Sequence, residues 1–379
     1  MRMSLQAADL GAALAHATAA MAAGKRMVRL AARESAVVVI GSDATMSTSI
    51  EVPATVEAAG EVVLDAARIA GIASHASGTM TLSAADTSVG ITTGQGRYRL
   101  PVLVNPPAEL VLDDEEASIV IAAQDLRYLL EPVACAGREA SRFYLNGILL
   151  LSEGGRLTST ATDGVRLLRT SIVAPEFSTD RRLIIPSKSV VAIERLIRRE
   201  SGMLTLRRNS RLFSVGGAGF TAITRLLDFT YPDPARVLPE ASSDAAIIKR
   251  QDLVDSLARL MAVMDGEAPL LVIEWHAPDE IFLYLARQPD AGSDLVEAET
   301  MGDGLIVVAP QALAALLAEF SSAQLRIEVT NRLVVRSEDK LGVVASMKWD
   351  FTPRTAPGAT VRATRKGAGK TRNRNYENV

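Results

Sequence analysis

Lys188, Ala192, Arg195 and Arg199 stand at i, i+4, i+7 and i+11 of one predicted helix, with Arg198 beside them. That spacing stacks the cations in a stripe opposite the apolar positions Val190, Ile193 and Ile197. A stripe of guanidinium and ammonium groups neutralises phosphates, which gives affinity for a nucleic-acid backbone without reading its sequence. Lys249, Arg250 and Arg259 offer a thinner version near a helix of the last third, diluted by Asp252 and Asp255. Lys25, Arg26, Arg29 and Arg33 cluster after the N-terminal helix rather than on it. Any single helix of this kind is also what a solvated face looks like, and only recurrence on a shared face favours phosphate contact.

A second constellation offers recognition rather than charge. The stretch 141–170 reads as strands over 143–152 and 157–162 joined by Glu153-Gly154-Gly155-Arg156. The corner Ala161-Thr162-Asp163-Gly164 then starts a third strand, Val165-Arg166-Leu167-Leu168 and onward. Gly-containing turns between β-rich runs are hairpin signals. An apolar and basic sequence leaving such a corner exceeds what strand formation requires, and it reads as a docking surface for other proteins. Bond-making chemistry is harder to place. His16, His75 and His276 lie at unrelated positions, there is no phosphate loop, and Asp163 is economically a turn residue. The acidic run 113–116 has no His or Cys nearby and reads as a solvated linker. No cofactor, metal site or enzymatic activity is expected.

The elements that must hold these residues recur. Ala8-Asp9-Leu10, Gln124-Asp125-Leu126 and Gln251-Asp252-Leu253 each open an apolar stripe at helical spacing. Pro132 should kink or shorten the second of these helices. A second family follows, with helix starts near 66, 187 and 310, Asp65 and Ser187 being candidate caps. Alternating runs between the helices read as antiparallel strands, continuous from one third to the next. The fold class is therefore α+β: three similar domains, each with two helices packed on antiparallel sheets. Their boundaries are expected at 1–115, 116–240 and 241–351, followed by a basic, disordered tail over 352–379.

The formal charge of the 379-residue chain is −3. The tail holds seven Lys/Arg and one Glu, so it carries +6 and leaves −9 on residues 1–351. Such a body tolerates nucleic acid only where its basic groups share one surface. A single cysteine, Cys135, fits a reducing compartment, and no run approaches the length of a membrane span. The expected location is cytoplasmic, with no membrane partner.

The middle third also resembles a known family. Arg142-Phe143-Tyr144-Leu145-Asn146-Gly147, the 161–167 corner, Ile185-Pro186-Ser187-Lys188 and Tyr231-Pro232-Asp233-Pro234-Ala235-Arg236-Val237 follow in order and at the spacing of the bacterial DNA polymerase III beta subunit, the DNA sliding clamp. The resemblance implies three copies of one domain in a head-to-tail homodimer that closes as a ring around duplex DNA. It implies DNA-facing residues at Lys25, Arg26, Arg142, Lys188, Arg195, Arg198, Arg199 and Arg250, and subunit-interface residues at Ala262 and Val263. It further implies a pocket for short peptide motifs of polymerases and the clamp loader, formed by Tyr144, Leu145, Thr162, Gly164, Val165, Arg166, Leu167, Pro232, Arg236 and Val237, closed by Met347 and Trp349. Leu145, Leu167, Pro232, Val237 and Met347 would supply an apolar floor. The chain departs from the family at Met347-Lys348-Trp349-Asp350-Phe351, where a Met-Pro strand usually ends the protein, and at Val165, where His is frequent. A specialised paralogue, acting as a peptide-binding platform for repair or translesion polymerases with weak or no ring formation, is the alternative.

Overall fold

Two periodicities alternate along this chain, 3.6 and 2, and their order repeats. In the computed structural model, residues 1–21, 24, 26–177, 183–264, 269–276, 279–286, 292–338 and 340–348 are described. Six α-helices stand among them: α1 (Ala7–Ala17), α2 (Ala66–Ser74), α3 (Ala123–Leu130), α4 (Ser187–Ile197), α5 (Arg250–Ala262) and α6 (Pro310–Leu317). The starts expected near 66, 187 and 310 are those of α2, α4 and α6. Each helix follows a short strand and precedes a meander of three. After α1 these are Met27–Arg33, Ala36–Ser42 and Met46–Pro53, and after α2 Thr79–Ala84, Ser88–Thr93 and Gly96–Pro101. The same unit recurs after α3 (Gly147–Glu153, Arg156–Thr162, Arg166–Val173) and α4 (Met203–Arg208, Leu212–Gly217, Phe220–Arg225). It closes with Leu271–Trp275, Glu280–Leu285 and Ser293–Met301 after α5, then Gln324–Val329, Arg332–Arg336 and Lys340–Ala345 after α6.

Helix α1 packs on α2, α3 on α4 and α5 on α6. Each lays its apolar stripe on a sheet; α1 buries Leu10, Ala13, Leu14 and Ala17, each leucine worth roughly 1.5–3 kcal/mol. Three cores result, one around Leu10, Leu30 and Leu82, one around Leu126, Ile193 and Phe213, and one around Leu257, Trp275 and Leu316. The strands form sheets of five, eight and twelve. The eight-stranded sheet passes from the first third to the second where Met46–Pro53 pairs with Phe220–Arg225, Ile50 lying opposite Phe220. The twelve-stranded sheet passes from the second to the third where Arg166–Val173 pairs with Lys340–Ala345, Leu167 lying opposite Val343. Met1–Met347 is one compact unit, and the expected tail 352–379 lies outside the described residues.

Local expectations fared unevenly. Pro132 ends α3 at Leu130 and sits at the start of a 3-10 turn, Glu131–Cys135. The Asp65 carboxylate accepts the Arg68 N–H at 3.0 Å and caps α2. Ser187 is no cap. Pro186 holds the extended position before α4, Ser187 is already helical, and its buried Oγ meets no partner among the described residues. Residues 143–145, expected as strand, belong to a 3-10 turn, Ala140–Leu145, and after Asn146 the strand begins at Gly147. A Cβ at Gly147 would stand 2.5 Å from the Ile185 carbonyl oxygen, so only glycine lets these strands approach.

Candidate docking cleft and basic helix face

The corner at Asp163 is built by its own side chain. Asp163 Oδ1 accepts the N–H groups of Val165 (2.9 Å) and Arg166 (2.7 Å), while the Asp163 N–H donates to the Arg166 carbonyl (3.2 Å). Asp43 repeats this turn in the first third, accepting from Thr45 N (2.7 Å) and Met46 N (3.0 Å). Asn209 does the same for Arg211 and Leu212 at 2.9 and 2.8 Å. A carboxylate or amide two residues ahead of a tight turn is a local substitute for a backbone acceptor.

The second third then adds something new. Arg166, where the first third has Met46, forks back onto Asp163 Oδ2 through Nε (3.0 Å) and Nη2 (2.9 Å). Thr162 Oγ1 donates to the Arg166 carbonyl (2.7 Å) and accepts the Gly164 N–H (3.0 Å). Gly164 lies at φ +93°, and a Cβ there would stand 2.7 Å from Arg142 Nη1. Tyr231 is fully buried and its hydroxyl accepts the Thr162 N–H at 3.0 Å, tying the Tyr-Pro-Asp-Pro segment to the corner. Burial pushes the Tyr231 hydroxyl up to about 12, so it stays protonated.

Around this corner lies a cleft of about 300 Å³. Nine of the expected pocket residues line it: Tyr144, Leu145, Thr162, Gly164, Val165, Arg166, Leu167, Pro232 and Val237. Leu145 and Leu167 form a buried floor and Val165 is 45% exposed at the rim. Arg236 is exposed at the end of the turn Pro234–Arg236, outside the lining. Met347 is also outside it. The last strand ends at Ala345, so Val343 and Ala345 face the cleft, and the Met347 N–H turns away to the Val307 carbonyl (2.8 Å). Trp349 lies outside the described residues.

Sequence reasoning assigned Arg142 to a DNA-facing set; it lines this cleft instead, forked onto Glu139 at 3.0 Å through both Nε and Nη2. It missed Tyr231, Asp233 and Pro234, although all three stand in a motif already singled out, and Arg332, which carries no local signal.

Lys188 and Arg195 on α4, and Arg198 and Arg199 just past its end, are exposed, and Ala192, expected among them, is buried in the core. At 100° per residue Ala192 falls beside the basic arc, so helix periodicity alone does not account for its burial. Arg195, Arg198 and Arg199 line a cleft of about 670 Å³ with His16 and Ala19 from the α1 end and with Glu51 and Phe220. Burial, and then the Arg198 charge, lower the His16 pKa, so the imidazole is neutral beside three guanidinium groups. Arg26 is half-buried, its carbonyl accepting the first N–H of α2 (3.0 Å). Arg250 is half-buried at the start of α5, and Lys25 lies outside the described residues. Ala262 and Val263 are exposed at the end of α5, where a Cβ on Gly292 would touch Val263 at 3.0 Å. No group of three or more metal-ligating side chains, and no helix long and apolar enough to cross a membrane, occurs among the described residues.

These observations meet a family. Residues 120–233 match the DNA polymerase III beta subunit, central domain. Structures of the Pseudomonas aeruginosa DNA polymerase III subunit beta superpose with a TM-score of 0.85 over 92% of this chain and 100% of theirs, at 21% identity. Residues 120–233 are thus similar to that central domain, and the chain as a whole shares the fold of these structures. Among curated relatives, the beta sliding clamp of Pseudomonas aeruginosa is 32% identical over 183 residues, 47% of this chain and 49% of that protein. That of Caulobacter vibrioides is 27% identical over 267 residues, 67% and 69% of the two chains. In the first of these alignments the chain spans about half the length of its relative. A sliding clamp structure from Caulobacter crescentus superposes with a TM-score of 0.82 at 20% identity over 92% and 100% of the two chains. The family's shared fold accounts for the three helix pairs on large antiparallel sheets.

Proposed function

We propose that this chain is a DNA sliding clamp: a non-catalytic processivity ring of two copies that encircles duplex DNA and tethers polymerases and other replication or repair proteins through the cleft at Gly164. The observation that carries this reading is an unfinished repeat. In both junctions between successive thirds, the last strand of the meander after the first helix pairs with the last strand of the next third. A third junction of the same kind would need Ser293–Met301 and Gly96–Pro101. Gly96–Pro101 is the edge of the five-stranded sheet. Residues 293–297 pair with Glu280–Leu285 on one flank only, the pairing to Ala245–Lys249 being confined to 298–301.

A second copy, head to tail, supplies the missing partner twice and closes the assembly, leaving no junction of this kind open. Charge favours it: Arg97 and Arg99 stand on one strand, Asp294, Glu297 and Glu299 on the other. Ala262 and Val263 lie beside the second edge, and Arg259 fixes α5 to it through Asp294 (2.6 and 2.9 Å). Enclosure explains how an acidic body holds DNA. Retention comes from topology, and Lys188, Arg195, Arg198 and Arg199 need only guide the duplex, joined by Lys25, Arg26 and Arg250 as further DNA-facing residues.

Mass measurement of the purified protein should return a dimer, and protein loaded on circular DNA should be lost when the circle is cut. Persistence on the linear form would overturn the ring. A monomeric mass with intact peptide binding would instead favour a specialised paralogue that serves as a docking platform.

A further inference from the structure

The cleft's hydrogen-bond donors are nearly all committed. The amides of Thr162, Gly164, Val165 and Arg166 are spent on Tyr231, Thr162 and Asp163 within the corner itself. Val343 is locked between two strands, opposite Leu167 and Val334. Among the cations in the lining, Arg142 is forked onto Glu139 and Arg166 onto Asp163. Arg332 differs. It is half-buried on the opposite wall, and its side chain makes one hydrogen bond among the described residues, from Nη1 to the Val237 carbonyl at 3.3 Å. A guanidinium has five N–H donors, so most of its fork is left for a ligand; Asp233, the acid of the lining, accepts the Ala235 N–H and forms no ion pair with Arg332 among the described residues. In such surroundings a charged hydrogen-bond partner is worth more than at an open surface.

We infer that Arg332 makes the cleft selective for extended peptides that carry a carboxylate beside their apolar anchors. Leu145, Leu167 and Val343 take the anchors, and Arg332 takes the acid of the same segment. The inference rests on the reading of the cleft as a docking site and adds a charge preference to it. Arg236 does not supply the same selectivity, because it is exposed outside the lining, where its charge is screened.

The test uses the full chain and an N-acetylated, C-amidated apolar hexapeptide, with Asn, Asp or Lys placed at each position in turn, so that the only carboxylate is the introduced one. Fluorescence anisotropy at low and moderate salt should find one position where Asp binds about tenfold tighter than Asn, the advantage shrinking as salt rises. Arg332→Gln should cost the Asp peptide about tenfold more than the Asn peptide, and Arg332→Glu should shift the preference to Lys at the same position. Equal binding of Asp and Asn peptides at every position would overturn the role of Arg332 and leave the docking cleft standing. Failure of every peptide to bind would overturn both. An equal loss for Asp and Asn peptides in Arg332→Gln would reduce Arg332 to a prop for Val237 and overturn the inference too.

Discussion

Where the first third meets the second, Met46–Pro53 lies against Phe220–Arg225, and crossing side chains reach main-chain carbonyls: Arg225 Nε to Ala44 (2.8 Å) and Thr224 Oγ1 to Thr45 (3.3 Å). Where the second meets the third, the equivalent strands pair in the same way, but further contacts are added. Lys340, 6% exposed, donates to the Glu131 carboxylate and the Glu319 carbonyl and lies over the Tyr128 and Phe320 rings. Cys135 and Leu168, from the second third, pack into the core of the last. The segment 237–242 is strapped down by Arg332 to Val237, Arg336 to Pro239 and Arg326 to Ser242. The first junction also has Met46 packed into the core of the second third, so strand pairing does not act alone there. The extra fastening appears where a cleft has to keep its walls in register, since a binding site gains affinity from walls that need no ordering when a ligand arrives. The looser junction keeps open space and exposed arginines.

The largest effect should come from cutting that fastening at Glu328, which is fully buried and holds Arg326 Nε (2.8 Å), Arg336 Nε (3.0 Å) and the Ser242 N–H (3.3 Å). Glu328→Ala strands two partly buried cations, at a cost of about 2–4 kcal/mol in denaturant unfolding. A loss below about 1 kcal/mol would remove the contrast between the junctions. The pH dependence has a definite sign. Burial pushes the Glu328 carboxyl up, but hydrogen bonds from Arg326 and Arg336 outweigh it and hold the pKa below the ordinary value. The stability Glu328 supplies is therefore present above the normal carboxylate range and lost as pH falls through the lowered value. Glu328→Gln should flatten that acid limb.

A smaller effect is expected at Lys340. Lys340→Met keeps the packing against Tyr128 and Phe320 and removes the bridge to Glu131, costing about 1–3 kcal/mol. Cys135 reports it. Its thiol is fully buried, and burial pushes its pKa up to about 12, so alkylation in mildly alkaline buffer should be slow in the native protein. Labelling in Lys340→Met should accelerate severalfold, and an unchanged rate would mean that the bridge does not hold this junction closed.

What was legible in sequence was local at both junctions, and the reason is range. The stripe on α4 and the turn at Asp163 are set by residues within one or two turns of each other. Their spacing announces them, as does the agreement of helix starts at 66, 187 and 310 with α2, α4 and α6. Ser293–Met301 was missed because buried Val296 and Ala298 alternate with Glu297 and Glu299, a pattern that low strand propensity conceals. The straps were invisible for another reason. Glu328 and Arg332 look like ordinary charges on polar strands until the fold brings residues 237–242 against them. Met347 was misplaced because the last strand stops at Ala345, where the chain turns to bond Val307, and no local signal marks that end.

The smallest stability effect should fall on the first junction, and that would sharpen the comparison. Arg195, Arg198 and Arg199 are exposed, and none is needed to hold Met46–Pro53 against Phe220–Arg225. Replacing all three with Gln should change unfolding free energy by no more than about 0.5 kcal/mol. Duplex binding should weaken, with the slope of log affinity against log salt falling by roughly 0.9 for each phosphate that is no longer neutralised. The same variant carries an internal gauge. His16 is lowered first by burial and second by Arg198, so its imidazole pKa should rise part of the way towards its ordinary value, readable by proton NMR. If stability fell while the salt slope held, these arginines would be fasteners like those of the second junction, and the division between a clamped cleft and an open basic one would fail.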